Sequence, residues 1–123
     1  FGWREPVSAP LLVATGTGIV PFRAMLQSAP VKPTLIYGAR HEESLLWRDE
    51  LAAQSDLILT LTRPAASWTG RTGRVQAIVE EQLAAGAVGQ IYICGLKEMV
   101  DSVRALCKEK GLDRRQIVYE KYD

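Results

Sequence analysis

Short apolar runs alternate with amphipathic stretches along the whole chain, and this alternation limits the available folds more than any other feature. Leu11-Leu12-Val13-Ala14, Thr34-Leu35-Ile36-Tyr37, Leu57 to Thr62, Ile91-Tyr92-Ile93-Cys94 and Ile117-Val118-Tyr119 are too short for helices. They are apolar without a polar face, as strands buried on both sides are. Between them the spacing predicts helices. One runs from Ile19 to about Gln27, with Pro21 near its first turn, where a missing N–H costs nothing. A second runs from about Glu43 to Ala53 and opens on acidic residues, which suit the positive end of the helix dipole. Val75, Ile78, Val79 and Leu83 mark the stripe of a third, and Val100, Val103, Leu106 and Cys107 that of a fourth. Pro64, Ser67, Gly70 and Gly73 make Arg63 to Gly73 a predicted loop. Repeated strand–helix alternation implies an α/β fold in three layers, a five-stranded parallel sheet with helices on both faces.

A chain of 123 residues holds one domain with a sizeable core. Its 15 Lys+Arg against 14 Asp+Glu leave a net charge of +1, which argues against nucleic-acid or anionic-membrane binding. No run approaches the ~18 apolar residues of a membrane span. Cys94 and Cys107 lack metal-ligand or redox-pair spacing, so a reducing cytoplasmic setting is expected. The chain opens on Phe1 rather than Met, which suggests a segment of a longer protein.

In open parallel sheets ligands sit beyond the carboxyl ends of the strands, where strand order reverses. Four segments should lie there. The first, Thr15-Gly16-Thr17-Gly18-Ile19-Val20-Pro21, joins a strand to a helix. Its glycines let backbone approach a phosphate, and the helix start offers free N–H groups, although Pro21 stands where a dinucleotide fingerprint has its third glycine. A tight turn with no ligand is the alternative. The second, Tyr37-Gly38-Ala39-Arg40, ends in a cation where ribose-binding folds carry an acid, so Arg40 either meets a phosphate or is solvated.

The third segment carries Arg63, Arg71 and Arg74 with no acid between Leu57 and Val79. Guanidinium groups grip phosphate oxygens bidentately, so these form either a phosphate site or a solvated basic loop. Trp68 in this loop either covers an adenine ring or packs locally. The fourth is Cys94-Gly95-Leu96-Lys97-Glu98-Met99, whose cysteine faces the same crevice as the first, or is merely a small buried hydrophobe. Cys107 is read as core, and His41 is given no role.

Taken together, these segments resemble the nucleotide-binding domain of the ferredoxin–NADP⁺ reductase family, from about Val7 to Asp123. The family's G-T-G-x-x-P motif stands as Gly16-Thr17-Gly18-Ile19-Val20-Pro21. Its cysteine–glycine motif stands as Cys94-Gly95-Leu96-Lys97-Glu98-Met99, and its aromatic, acid-bearing end as Tyr119-Glu120-Lys121-Tyr122. Phe1-Gly2 is similar to the close of the preceding flavin domain, so residues 1–8 are expected to be that domain's tail and 1–123 a single NAD(P)-binding domain.

The resemblance implies hydride transfer between nicotinamide and FAD, with the FAD held mainly by a flavin domain elsewhere in the parent chain. It implies that Thr15 and Cys94 line the nicotinamide, Cys94 placing the ring rather than attacking it. Gly16, Thr17, Gly18 and the helix beginning at Pro21 hold the pyrophosphate. Gly95 belongs to the cysteine–glycine turn, and Leu96, Lys97 and Met99 lie by the adenosine half. Glu120 sits near the reacting rings, and Tyr122 stacks on the flavin until nicotinamide displaces it.

For NADP over NAD the implied residues are Arg40, Thr62, Arg63 and Arg74. Thr62-Arg63 matches the hydroxyl–arginine pair of bacterial reductases, although Pro64 follows where an acid is usual. NADP is therefore the expected nucleotide and NAD the alternative. The expected partners are an electron acceptor such as ferredoxin or flavodoxin and the flavin domain itself. The other readings are a stand-alone dinucleotide-binding or sensor module, a subunit docking on a separate flavoprotein, and a phosphate-binding regulatory domain without redox chemistry.

Overall fold

In the computed structural model, which describes residues 1–122, six parallel strands form one sheet in the order β4-β3-β2-β1-β5-β6. The strands are β1 (Pro10–Thr15), β2 (Thr34–Ala39), β3 (Asp56–Leu61), β4 (Arg71–Thr72), β5 (Gln90–Leu96) and β6 (Ile117–Tyr122). The helices are α1 (Ile19–Leu26), α2 (Arg48–Gln54), α3 (Val75–Ala84) and α4 (Lys97–Glu109). Neighbouring chain segments build outward from β1 to β4 on one side, and β5 and β6 then fill the other. Strand order therefore reverses between β1 and β5.

Side chains alternate across the sheet, which explains the two-sided apolar runs. Leu12, Ala14, Leu35, Tyr37, Tyr92 and Cys94 face Ile19, Phe22, Met25 and Leu26 of α1 and Leu51 of α2. Leu11, Val13, Ile36, Ile91, Ile93 and Ile117 face Val75, Ile78 and Val79 of α3 and Val100, Val103 and Cys107 of α4. The helices thus lie on both faces, as the alternation predicts, and Cys107 is core.

Three expectations need correcting. The sheet has six strands rather than five, because Arg71 and Thr72, inside the expected loop 63–73, pair with Thr60 and Leu61 as a two-residue edge. The second helix starts at Arg48 rather than Glu43. Glu42–Ser44 is a separate 3₁₀ turn, and Trp47 at φ 55° reverses the backbone before α2. Tyr37 holds that detour in place: its hydroxyl accepts from the Leu46 N–H at 3.1 Å and lies 3.5 Å from the Ser44 carbonyl. The first helix begins at Ile19, as the spacing predicts, after a 3₁₀ turn over Gly16–Gly18. Finally, Cys94 to Met99 is not a loop, since β5 continues to Leu96 and α4 starts at Lys97.

Residues 1–8 lie along this domain. Trp3 Nε1 donates to the Met25 carbonyl at 2.8 Å, and the Arg4 N–H donates to the Tyr92 hydroxyl at 2.9 Å. The Gln90 amide donates to the carbonyls of Arg4 and Pro6, both at 3.0 Å. No helix among the described residues is long and apolar enough to cross a membrane.

Candidate functional site

The carboxyl ends of β1 and β5 open at the point where strand order reverses, and the glycine turn and the cysteine–glycine pair meet there. Gly16 adopts φ 55°, a left-handed value that costs glycine nothing, and turns the chain out of β1. Gly18 then passes directly over β5, so close that a Cβ would collide with the Cys94 carbonyl oxygen. A Cβ on Gly95 would meet Thr15 Oγ1 and the Met99 methyl, both at 2.6 Å. Thr15, Gly18, Cys94, Gly95 and Met99 are therefore one packed unit. The N–H groups of the Gly16–Gly18 turn are its candidate donors, whereas the Ile19 N–H that opens α1 already donates to the Gly16 and Thr17 carbonyls. Thr17 lies in that turn, and Pro21, in the first turn of α1, has no N–H to leave unsatisfied.

Cys94 is fully buried, and its register partners are Ala14 on β1 and Glu120 on β6. Burial raises the Cys94 thiol above its usual range, a hydrogen bond with Tyr122 pulls the other way, and the Glu120 charge adds to the rise. Tyr122 is likewise raised, first by its hydrogen bond with the thiol, then by burial and by Glu120. The thiol is thus a protonated, packed group at neutral pH and not a nucleophile. Cys94, Glu120 and Tyr122 form a cluster on one face, because Glu120 and Tyr122 are two residues apart on β6.

At the other flank, β2, β3 and β4 bring the arginines together. The Thr62 N–H donates to the Ala39 carbonyl at 3.0 Å, and the Arg63 N–H to the Arg40 carbonyl at 2.9 Å, so Arg40 and Arg63 stand side by side. The Gly73 N–H donates to the Leu61 carbonyl at 2.9 Å and places Arg74, the residue before α3, beside them. Arg40, Arg63 and Arg74 are exposed and form no ion pair among the described residues. Arg71 does not join them: it pairs with Glu81 of α3, with its Nη1 donating at 2.8 Å.

Trp68 packs locally. Its Nε1 donates to the Arg71 carbonyl at 2.8 Å, and its ring fills the space where a Gly70 Cβ would go. Leu96 is 64% exposed at the rim, and Lys97 pairs with Asp101 at 2.9 Å. Asp101, also bonded by Lys121, is held down to about 2 by these two ammonium groups.

Two residues supporting the site were not singled out in the sequence. Buried Thr60 donates its hydroxyl to the Gly73 carbonyl at 2.7 Å, and His41 Nδ1 lies 3.0 Å from the Arg63 carbonyl. The signal for Thr60 was a hydroxyl inside an apolar strand, which needs a partner once buried. For His41, a lone polar residue in a turn, there was none.

The geometry fits a dinucleotide: an N–H-rich turn lies at the reversal point, a small buried thiol lies beneath it, and an unpaired triple cation stands to one side. A sequence profile of the oxidoreductase NAD-binding domain matches residues 12–105. Ferredoxin–NADP reductase B of Sorangium cellulosum is 44% identical over 98% of this chain, which spans 57% of that protein. The toluate 1,2-dioxygenase electron transfer component of Pseudomonas putida is 32% identical over 99% of this chain, which spans 39% of it. Among solved structures, the ferredoxin reductase in carbazole 1,9a-dioxygenase shares the fold with a TM-score of 0.81. It is 21% identical over 98% of this chain and 40% of that one. The chain thus spans little more than half of the longest-covered of these relatives.

Proposed function

The chain belongs to the oxidoreductase NAD-binding domain family, the nucleotide half of ferredoxin–NADP reductase-type flavoproteins, and from that premise we propose that it binds NADP(H) for a flavin-dependent reductase. Hydride passes between the bound nicotinamide and an FAD held mainly by a flavin domain of the same parent protein, and electrons leave for an acceptor such as ferredoxin or flavodoxin. The observation that carries this reading is the packing of Gly18 and Thr15 onto Cys94 and Gly95 at the reversal point. It supports reading this crevice as the place where the pyrophosphate and the nicotinamide meet.

Position and the family resemblance together support the following roles. The N–H groups of Gly16, Thr17 and Gly18, with the start of α1, hold the pyrophosphate. Thr15 and the Cys94 thiol set the plane of the nicotinamide, and Gly95 lets Thr15 and Met99 close against β5, where a side chain would collide with both. Glu120 and Tyr122 border the same recess from β6, where the Tyr122 ring covers the flavin face in the absence of nicotinamide. Leu96, Lys97 and Met99 flank the adenosine half. Arg40, Arg63 and Arg74, with the Thr62 hydroxyl, hold the 2′-phosphate and so select NADP over NAD. The protein's share of catalysis is orientation and a fixed array of donors.

Titration calorimetry of the chain with NADP⁺, NAD⁺ and 2′,5′-ADP in low salt tests this reading. NADP⁺ and 2′,5′-ADP should bind about tenfold or more tighter than NAD⁺, because the 2′-phosphate adds charge-assisted contacts worth about 1.5–3 kcal/mol each. Equal affinity for NADP⁺ and NAD⁺ would remove the 2′-phosphate assignment. Absence of heat with all three would remove the nucleotide reading for this chain.

A further inference from the structure

We propose that the cleft along the edge strand β6 is a second anion site, distinct from the nucleotide crevice, which takes a small ligand bearing two or more phosphate groups. The cleft encloses about 510 Å³ and is lined by Arg4, Arg104, Lys108, Arg114 and Arg115, with Tyr119 and Ile117 as its apolar floor. That volume is within the range of small-molecule sites. Five cations converge on it in a chain whose net charge is only +1.

That charge is only partly compensated. Arg104 meets Asp101 only at 3.7 Å, and Arg115 meets Asp113 at 3.6 Å. Asp101 is already bonded more closely by Lys121 at 2.8 Å and Lys97 at 2.9 Å. Arg4, Lys108 and Arg114 form no ion pair among the described residues. Like charges held together without a counter-ion repel, and a polyanion relieves that repulsion.

A second, independent sign is at Arg104. Its guanidinium carbon lies 3.8 Å from the centroid of the Tyr119 ring, a cation–π contact that holds the charge against the floor of the cleft. A cation held there by its ring contact is in place before any anion arrives.

Chain direction separates this cleft from the nucleotide site. α4 starts at the carboxyl end of β5 and runs back along the sheet, so Arg104 and then Lys108 lie progressively toward the opposite end. Arg114 and Arg115 sit in the 3₁₀ turn that precedes β6. Arg4 reaches the cleft from the segment bonded to Tyr92. Convergence from three segments on a concave space suits a compact polyanion better than an extended acidic surface.

The test uses inorganic tripolyphosphate and amide NMR, with the nucleotide crevice first saturated by NADP⁺. Tripolyphosphate should produce saturable shifts at residues 104–119. The double substitution Lys108→Gln with Arg114→Gln, both at exposed positions, should weaken this binding about tenfold or more. The charge-retaining pair Lys108→Arg with Arg114→Lys should stay within about threefold of the parent, and NADP⁺ affinity should be unchanged in both. Non-saturating shifts, or full affinity in the glutamine pair, would overturn the proposal. Tighter binding of a hexaglutamate peptide than of tripolyphosphate would overturn the ligand class and make the cleft a protein-docking surface.

Discussion

Replacing Gly18 with alanine should cost about 1–3 kcal/mol of stability and lower NADP⁺ affinity about tenfold or more. The reason is local and steric. Gly18 has an ordinary φ of −59°, so the substitution carries no backbone penalty of its own. The new methyl group instead collides with the carbonyl oxygen of Cys94, which is backbone of an inner strand paired on both sides. Such an atom cannot turn aside as a flexible side chain would. The turn must lift away, and the N–H groups aimed at the pyrophosphate lift with it.

Gly16→Ala provides the contrast. A Cβ there meets nothing within 4 Å, but the residue stands at φ 55°. That change should cost about 1–2 kcal/mol in backbone strain and leave the β5 contact intact. Melting temperature and calorimetric affinity of the two variants separate the causes. A Gly18→Ala protein with parental affinity and melting temperature would show that the turn is not held by β5.

The second large effect is expected from Arg63→Ala combined with Arg74→Ala. Each removes a guanidinium that has no carboxylate partner among the described residues, so neither change orphans a neighbour. Stability should therefore move little. Each lost charge-assisted contact to a phosphate is worth about 1.5–3 kcal/mol, and at exposed positions the lower figure applies. Together they should cost 2′,5′-ADP about 100-fold in affinity at low salt, while NAD⁺ stays within about twofold. The difference should shrink as salt is added, since these groups are solvent-exposed. Equal loss for NAD⁺ and 2′,5′-ADP would place the arginines on the pyrophosphate instead.

The layers of this fold were readable because the inner strands β1, β2 and β5 are apolar on both sides and α3 and α4 each carry one stripe. What stayed hidden has identifiable causes. Arg71-Thr72 is too short to show a period, and only its pairing with Thr60 and Leu61 makes it a strand. Trp47 in a left-handed conformation delays α2, and nothing in a run of acidic and apolar residues marks that reversal. Gly18 was visible as a glycine, but its reason, contact with a strand more than 70 residues later, depends on sheet order.

The site follows the same division. Arg40, Arg63 and Arg74 were legible as cations after strands. That Arg71 turns to Glu81 while the other three stand together was settled by register. Similarly, Cys94 read equally well as core or as a site residue from its type alone. Its burial makes the thiol core, and its hydrogen bond with Tyr122 and the nearness of Glu120 place it in one cluster with both.

The most direct test of the central claim, that a dinucleotide lies across the β1–β5 reversal with its 2′-phosphate toward β2–β4, is amide NMR mapping with two ligands. NADP⁺ should shift Thr15, Gly16, Thr17, Gly18, Cys94 and Gly95 together with Arg40, Thr62, Arg63 and Arg74. 2′,5′-ADP, which lacks nicotinamide, should shift the arginine group and leave Thr15, Cys94 and Gly95 in place. Identical maps for both ligands, or shifts that avoid the glycine turn, would contradict the account.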